Sequence, residues 1–212
     1  PETVAIVGGG YVGVEMAEAF RGWDLETHLY QRSGRPAPAF GAAVGDGVSE
    51  TLREAGVSLH LDTAVESIRG DGRAERLVAE DGELDVDCVL VGIGIRPNTE
   101  LVEGTGVEFG ESGAIRIDEY GRTGVEGIYA AGDCAEKTHT VTGEPDWVPL
   151  GLTANRAGRA IGQTVAGDPE PVGKIAGTAV LKAFELECGR TGIVDHERAR
   201  EAGFDPVSET IT

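Results

Sequence analysis

TVAIVGGGYVGVEMAEAF, residues 3–20, decides the fold. Thr3–Val7 is a short apolar, β-branched run and predicts a strand. Gly8–Gly13 (GGGYVG) follows, and Val14–Phe20 then places Val14, Ala17 and Met16 or Phe20 at helical spacing. Leu25–Tyr30 alternates and predicts a second strand. Strand, glycine turn, helix and strand within about thirty residues make a βαβ unit of the Rossmann type. Gly8-x-Gly10-x-x-Gly13, with Tyr11 and Val12 at the variable positions, has the spacing of a dinucleotide fingerprint. The first glycine permits the tight turn, the second lets the backbone approach a diphosphate, and the third lets helix and strand pack closely. Free N–H groups and the helix dipole supply the attraction for phosphate. Such spacing alone is weak; here both flanking elements are right, and Ala17 is small where the helix meets the sheet.

The end of the second strand bears on which dinucleotide. A site that prefers NADH carries an acid there to hold the ribose 2′-OH. This chain has Gln31, followed by Arg32 and Arg35. No acid repels a 2′-phosphate, and two guanidiniums stand near enough to pair with one. The reading is NADPH, or dual use, over strict NADH; the plainer alternative makes Arg32 and Arg35 solvated loop charges. Glu15, in the first helical turn, complements the helix dipole or contacts the nicotinamide end, and the residues alone leave both open.

Further along, Ser33–Gly47 is rich in Gly, Pro and Ala and reads as loop, and Val48–Ala55 as an amphipathic helix ended by Gly56. Val57–Leu61 is a strand. Thr63–Ile68, Arg73–Ala79 and Glu83–Val86 form an antiparallel meander, with Asp81–Gly82 as a turn. Cys88–Ile93 reads as a fully buried parallel strand running into a loop at Gly94. Ala114–Ile117 and Gly127–Ala131 are expected strands, the latter buried and ending in Gly132-Asp133. Pro149–Val165 is a helix with Gly151, Ala154, Ala157, Gly158 and Gly162 on one small-residue face. Gly167–Gly173 is a linker, Gly177–Glu187 alternates like one strand, Asp195–Ala202 is a short helix, and Val207–Thr212 looks like a strand.

The 212 residues carry 37 acidic and 18 basic side chains, a formal charge of -19, and only three lysines (Lys137, Lys174, Lys182). Nucleic acid and anionic membranes are poor partners for such a surface. Acid-rich, lysine-poor chains suit high salt, where self-repulsion is screened, and the reading is a salt-loving source over an ordinary acidic cytosolic protein. Three cysteines without CxxC spacing predict neither a disulfide framework nor a zinc site, and the compartment reads as reducing cytoplasm. Cys88 reads as inert core. His28, His60, His139 and His196 show no metal-ligand spacing. The chain begins with Pro1, two residues before the first strand, and reads as a piece of a longer protein.

GGGYVGVEMAEAF, VGIGIRPNTEL, TGVEGIYAAGDCAE and WVPLGLTANRAGRAIGQTVAG, in that order, resemble the FAD-dependent pyridine nucleotide-disulfide oxidoreductases over the whole chain. The likeness is strongest to the branch of NADH oxidases, NADH peroxidases and coenzyme A disulfide reductases. The implied fold is α/β: a three-layer Rossmann-type NAD(P)-binding domain with a β-meander crossover (1–112), part of an FAD domain (113–166) and the start of an α+β dimerisation domain (167–212). The resemblance assigns Tyr11 to gating the nicotinamide face of the flavin, although an aromatic packed at the helix start explains it equally well. It places Glu15 at the nicotinamide carboxamide, and Gly92, Ile93 and Gly94 beside the bound nucleotide. Asp133, after Gly132, matches an aspartate on the FAD ribitol, compatible with a helix N-cap. Pro149, Leu150 and Gly151 match the segment near the flavin ring, where the following helix, with Ala154 in its first turns, aims its N-terminus.

The resemblance implies a homodimeric flavoenzyme that passes hydride from NADPH or NADH to FAD and on to a small disulfide or oxygen species. The family's other GxGxxG and its redox cysteine are absent from these 212 residues, so no catalytic residue is assigned here. The piece alone is expected to hold little FAD, to bind NAD(P)H weakly at most and to turn over nothing. The alternatives are an FAD-dependent reductase of ferredoxin or rubredoxin and a non-catalytic NAD(P)-binding redox sensor.

Overall fold

The structure is a computed structural model and describes residues 1–209 and 211. It divides into two compact units, one of Pro1–Gly94 with Ala179–Arg190, the other of Ile95–Thr178 with Thr191–Thr212.

In the first unit, β1 (Thr3–Val7) leads through the glycine turn into α1 (Tyr11–Arg21) and β2 (Glu26–Gln31). A 3-10 turn at Pro38–Phe40 precedes α2 (Ala42–Glu54) and β3 (Ser58–Leu61). β4 (Val65–Arg69), β5 (Arg76–Ala79) and β6 (Gly82–Asp85) form the antiparallel meander, and β7 (Cys88–Val91) returns to the parallel sheet, ordered β3-β2-β1-β7. Ile6 and Leu29 face the glycine turn and its helix, while Ala5 and Tyr30 face the meander, where they pack with Leu77, Ala79 and Val86. β1, inside the sheet, is thus covered on both faces, which is why it reads as an apolar run.

A polar cluster fastens the β5–β6 turn to the sheet. The His60 ring stacks on Tyr30 at 4.0 Å, its Nε2 lies 3.1 Å from His28 Nδ1, and its Nδ1 meets Asp81. Burial, then the Asp81 charge, pushes the Tyr30 phenol up to about 12. Nothing in the spacing of His28 and His60, 32 residues apart, signalled that meeting; the register of β2 on β3 brings them together.

Several expectations need correction. α2 starts at Ala42, inside the segment read as loop. Its glycines weaken helix propensity, but buried Val48 and Leu52 anchor it. Cys88–Val91 is not fully buried: β7 is the sheet's edge strand, with Cys88 and Val91 exposed, so Cys88 is not core. The stretch 177–187 is not one strand but the first part of a hairpin, β10 (Ala179–Ala183) and β11 (Leu186–Arg190). Its turn holds Phe184 at φ 53 and carries none of the usual turn residues, which hid it. Leu181, Ala183 and Cys188 on its inner face are buried, and the Phe184 amide donates to Glu18 on α1 at 2.8 Å. Burial pushes the Cys188 thiol up.

The second unit contains the small pair β8 (Lys137–Thr138) and β9 (Pro145–Asp146), α3 (Gly151–Val165) and α4 (His196–Glu201). The strands expected at 114–117 and 127–131 reduce to isolated bridges at Ile115 and at Tyr129, and glycines of positive φ flank them, Gly113 (φ 80) before the first and Gly127 (φ 81) at the start of the second. The helix expected from Pro149 begins at Gly151, and its small face is split: Ala157 and Ala160 are buried, while a β-carbon at Gly158 or Gly162 would meet open space. Val107, Ile115, Ala130 and Ala135 form one small core, and Ala157, Ala160 and Val172 another. α4, expected over 195–202, spans His196–Glu201 and is capped by Asp195. No strand forms over 207–209 or at 211; 210 and 212 lie outside the described residues. Among the described residues no helix is long and apolar enough to cross a membrane.

Candidate nucleotide-binding site

β1 ends at Val7 and the chain reverses at Gly8, φ 105, with its amide on the Tyr30 carbonyl at 2.8 Å. A β-carbon on Gly8 would strike the Gly92 carbonyl, and one on Gly13 would strike the Gly8 carbonyl, so both glycines are demanded by close backbone contact. Gly10 is different. Its φ of -77 suits any residue and a β-carbon there would meet nothing within 4 Å. It caps α1 without a side-chain bond, and the amides of Tyr11, Val12 and Gly13 have no acceptor among the described residues. Free donors at a helix N-terminus, with open space in front of them, suit a diphosphate.

Gln31, at the end of β2, braces this turn. Its Oε1 accepts the Gly9 amide at 2.8 Å, and its Nε2 donates to Ser33 Oγ at 2.6 Å. Ser33 Oγ in turn donates to the Arg35 carbonyl at 3.2 Å. Arg32 is exposed and makes no ion pair among the described residues, whereas Arg35 Nε donates to Asp46 on α2. Asp46 lies in a helical turn that the sequence reads as loop, so nothing in the sequence marks it as a partner of Arg35.

Gly92, Ile93 and Gly94 follow β7, and the Gly92 amide bonds the Val7 carbonyl at 2.8 Å, so this loop does adjoin the glycine turn. Ile93 is 75% exposed and Val12 57%, leaving an apolar rim around the free amides. Tyr11 packs on Phe40 at 5.1 Å, and its hydroxyl accepts from Arg190 Nε at 3.3 Å, which fits the packing alternative. Glu15 is exposed and unpaired among the described residues. It is the fifth residue of α1, beyond the first turn where it was placed, so simple dipole complementarity explains it poorly.

In the second unit, Gly132–Cys134 is a 3-10 turn, with Gly132 at φ 82 and only 3.5 Å between its would-be β-carbon and Ala154 Cβ. The turn therefore sits on the start of α3, and Asp133, Pro149, Leu150, Gly151 and Ala154 form one neighbourhood. Asp133 is exposed rather than at a buried strand end, and Ala131, not Asp133, occupies the turn's N-cap. The Asp133 carbonyl accepts from Trp147 Nε1 at 2.7 Å, while its carboxylate has no partner among the described residues. Leu150 caps α3 without a side-chain bond. Burial, then the charge of Arg156, lowers the pKa of Lys137, and neither cation forms an ion pair among the described residues.

A parallel sheet with a phosphate-type glycine turn, backed by a meander, defines a dinucleotide-binding α/β protein. The chain belongs to the pyridine nucleotide-disulphide oxidoreductase family, whose model matches residues 1–157. It is 40% identical over 205 residues to the NAD(P)H coenzyme A polysulfide/persulfide reductase of Pyrococcus horikoshii, covering 96% of this chain and 46% of that protein. The solved NAD-dependent persulfide reductase from A. fulgidus superposes with a TM-score of 0.88 at 39% identity, covering 96% of this chain and 38% of the other. An engineered water-forming NADPH oxidase solved with NADPH, derived from the Lactobacillus brevis NADH oxidase, gives a TM-score of 0.81 at 28% identity, covering 91% and 43%. The chain thus spans about half the length of the curated relatives it matches.

Proposed function

We propose that this chain is the NAD(P)H-binding portion of a flavin-dependent oxidoreductase, with residues 1–112 as the nucleotide domain, 113–166 as part of an FAD domain and 167–212 as the start of a dimerisation domain. The observation that carries the reading is Gly10: no packing or backbone strain requires glycine there, yet a side chain would fill the space before three free amides. Gly8, Gly10, Val12 and Gly13 hold the diphosphate, and Gly92, Ile93 and Gly94 flank the nicotinamide end, with Tyr11 and Glu15 on the helix between them.

The cofactor is NADPH, or both nucleotides, rather than NADH alone. In the engineered NADPH oxidase three consecutive substitutions turn Asp-Ala-Met into Ala-Arg-Ser. This chain reads Gln31-Arg32-Ser33, with no acid and the same Arg-Ser pair. FAD, when bound, supplies the chemistry of accepting a hydride and releasing electrons singly or in pairs. The Asp133 carboxylate suits a polyol hydroxyl, and the uncapped start of α3 at Pro149, Leu150 and Gly151 suits an electron-rich ring edge. The acceptor is a small disulfide or oxygen species; the persulfide and oxygen chemistry in the names of the relatives supports that class.

The test is anaerobic titration of the full-length protein. A bound flavin bleached by NADPH at least as readily as by NADH, and recoloured by coenzyme A disulfide, persulfide or oxygen, supports the proposal. Nucleotide binding without any flavin would overturn it in favour of a sensor, and recolouring by ferredoxin or rubredoxin alone in favour of a carrier reductase.

A further inference from the structure

The loop after β2 carries two arginines, and two carboxylates reach it from elsewhere in the unit. Arg35 is held in two ways. Its stem lies against Gly45 of α2, where a β-carbon would sit 3.1 Å from Arg35 Cβ and 3.3 Å from Cδ. Its Nε donates to Asp46, the next residue of the same helix. Asp62, after β3, approaches the loop from the other side: a β-carbon on Gly34 would lie 3.2 Å from its Oδ2. Of the four charges, Arg35 and Asp46 form an ion pair, while Asp62 stands beside Gly34 of the same loop without one among the described residues.

The ion pair is not a folding device of any weight. The Arg35 and Asp46 side chains are 50% and 61% exposed, and ion pairs of that kind contribute little to stability. A site built to bind a dianionic phosphate as tightly as possible would not keep a carboxylate on one of its two cations. A site used by both nucleotides would, because the counter-charge reduces the preference for the extra phosphate without adding anything that excludes a free 2′-OH.

We infer that Asp46 is a specificity-determining residue: by occupying Arg35 it holds the affinity for NADPH down toward that for NADH. This rests on the reading that the Gly8–Gly13 turn binds a pyridine dinucleotide. Arg35 keeps its Nη edge free for a phosphate when Nε is taken, so the effect of Asp46 is one of charge rather than of blocked access, and it must fade as salt screens it.

The experiment is to measure dissociation constants for NADPH and NADH on the full-length protein and its Asp46→Asn variant, at low and at molar salt. The expected result is a three- to tenfold rise in the ratio of NADPH to NADH affinity at low salt, on the order of one screened charge at this distance, shrinking at high salt. The same substitution in an Arg35→Ala background should produce a smaller rise. A ratio unchanged or lowered in Asp46→Asn, with both nucleotides still binding, overturns the inference and leaves the dinucleotide reading standing. Binding of neither nucleotide by the parent protein overturns both.

Discussion

Gly8 and Gly10 stand two positions apart and answer to different constraints. Gly8 has φ 105 and no room for a β-carbon beneath the Gly92 carbonyl. Gly8→Ala is expected to lower stability by at least about 2 kcal/mol, from a left-handed alanine and a displaced strand end. Gly10→Ala has neither problem, and reduced chain entropy in the unfolded state should leave stability unchanged or raised by up to about 1 kcal/mol. It should nonetheless weaken NADPH binding by about tenfold or more, roughly 1.4 kcal/mol, because the methyl stands where the diphosphate must approach. Thermal melts and binding titrations of the two variants check this; a Gly10→Ala protein that binds NADPH like the parent would refute the assigned phosphate seat. The motif already gives the turn to the first glycine and the diphosphate approach to the second; the structure adds that only Gly8 is held by backbone contact.

At the scale of an element, α4 is six residues long and depends on its cap. The Asp195 carboxylate accepts the amides of Arg198 at 3.0 Å and Glu197 at 2.8 Å, and these two bonds hold it below the usual carboxylate range. A carboxyl depressed in the folded state contributes stability that is present above its unfolded value and lost as pH falls through its folded one. Amide protection in His196–Glu201 should therefore drop on acidification below the ordinary carboxylate range, and Asp195→Asn should flatten that dependence while keeping most of the cap. Protection factors independent of pH in the parent would contradict this. α4 was legible because an Asx cap and helix formers lie within one short window. The β10–β11 hairpin was not, because its inward alternation continues through a turn whose only peculiarity, Phe184 at φ 53, is a backbone fact.

For the whole molecule, 37 acids against 18 bases mean that most carboxylates lack a basic partner. At roughly 0.1 M salt these repel over about 10 Å, and at molar salt over about 3 Å. The unfolding midpoint should rise by about 4 °C or more between roughly 0.1 and 2 M KCl, on the order of 1–2 kcal/mol for a chain of this size. A flat or falling midpoint would show that the acidity is not an adaptation to salt.

The first thirty residues determined, by themselves, the parallel sheet and the glycine turn, since strand, turn and helix are local patterns with distinct periods. The composition likewise determined the charge on the surface. Only the tertiary structure decided that β7 is an edge strand with Cys88 exposed, that His28 meets His60 across two strands, and that Asp46 reaches Arg35 from a helical turn that the sequence reads as loop. Each of these turns on which distant segments lie side by side, and a pattern of neighbouring residues holds no record of register, of sheet order or of a side chain arriving from another element.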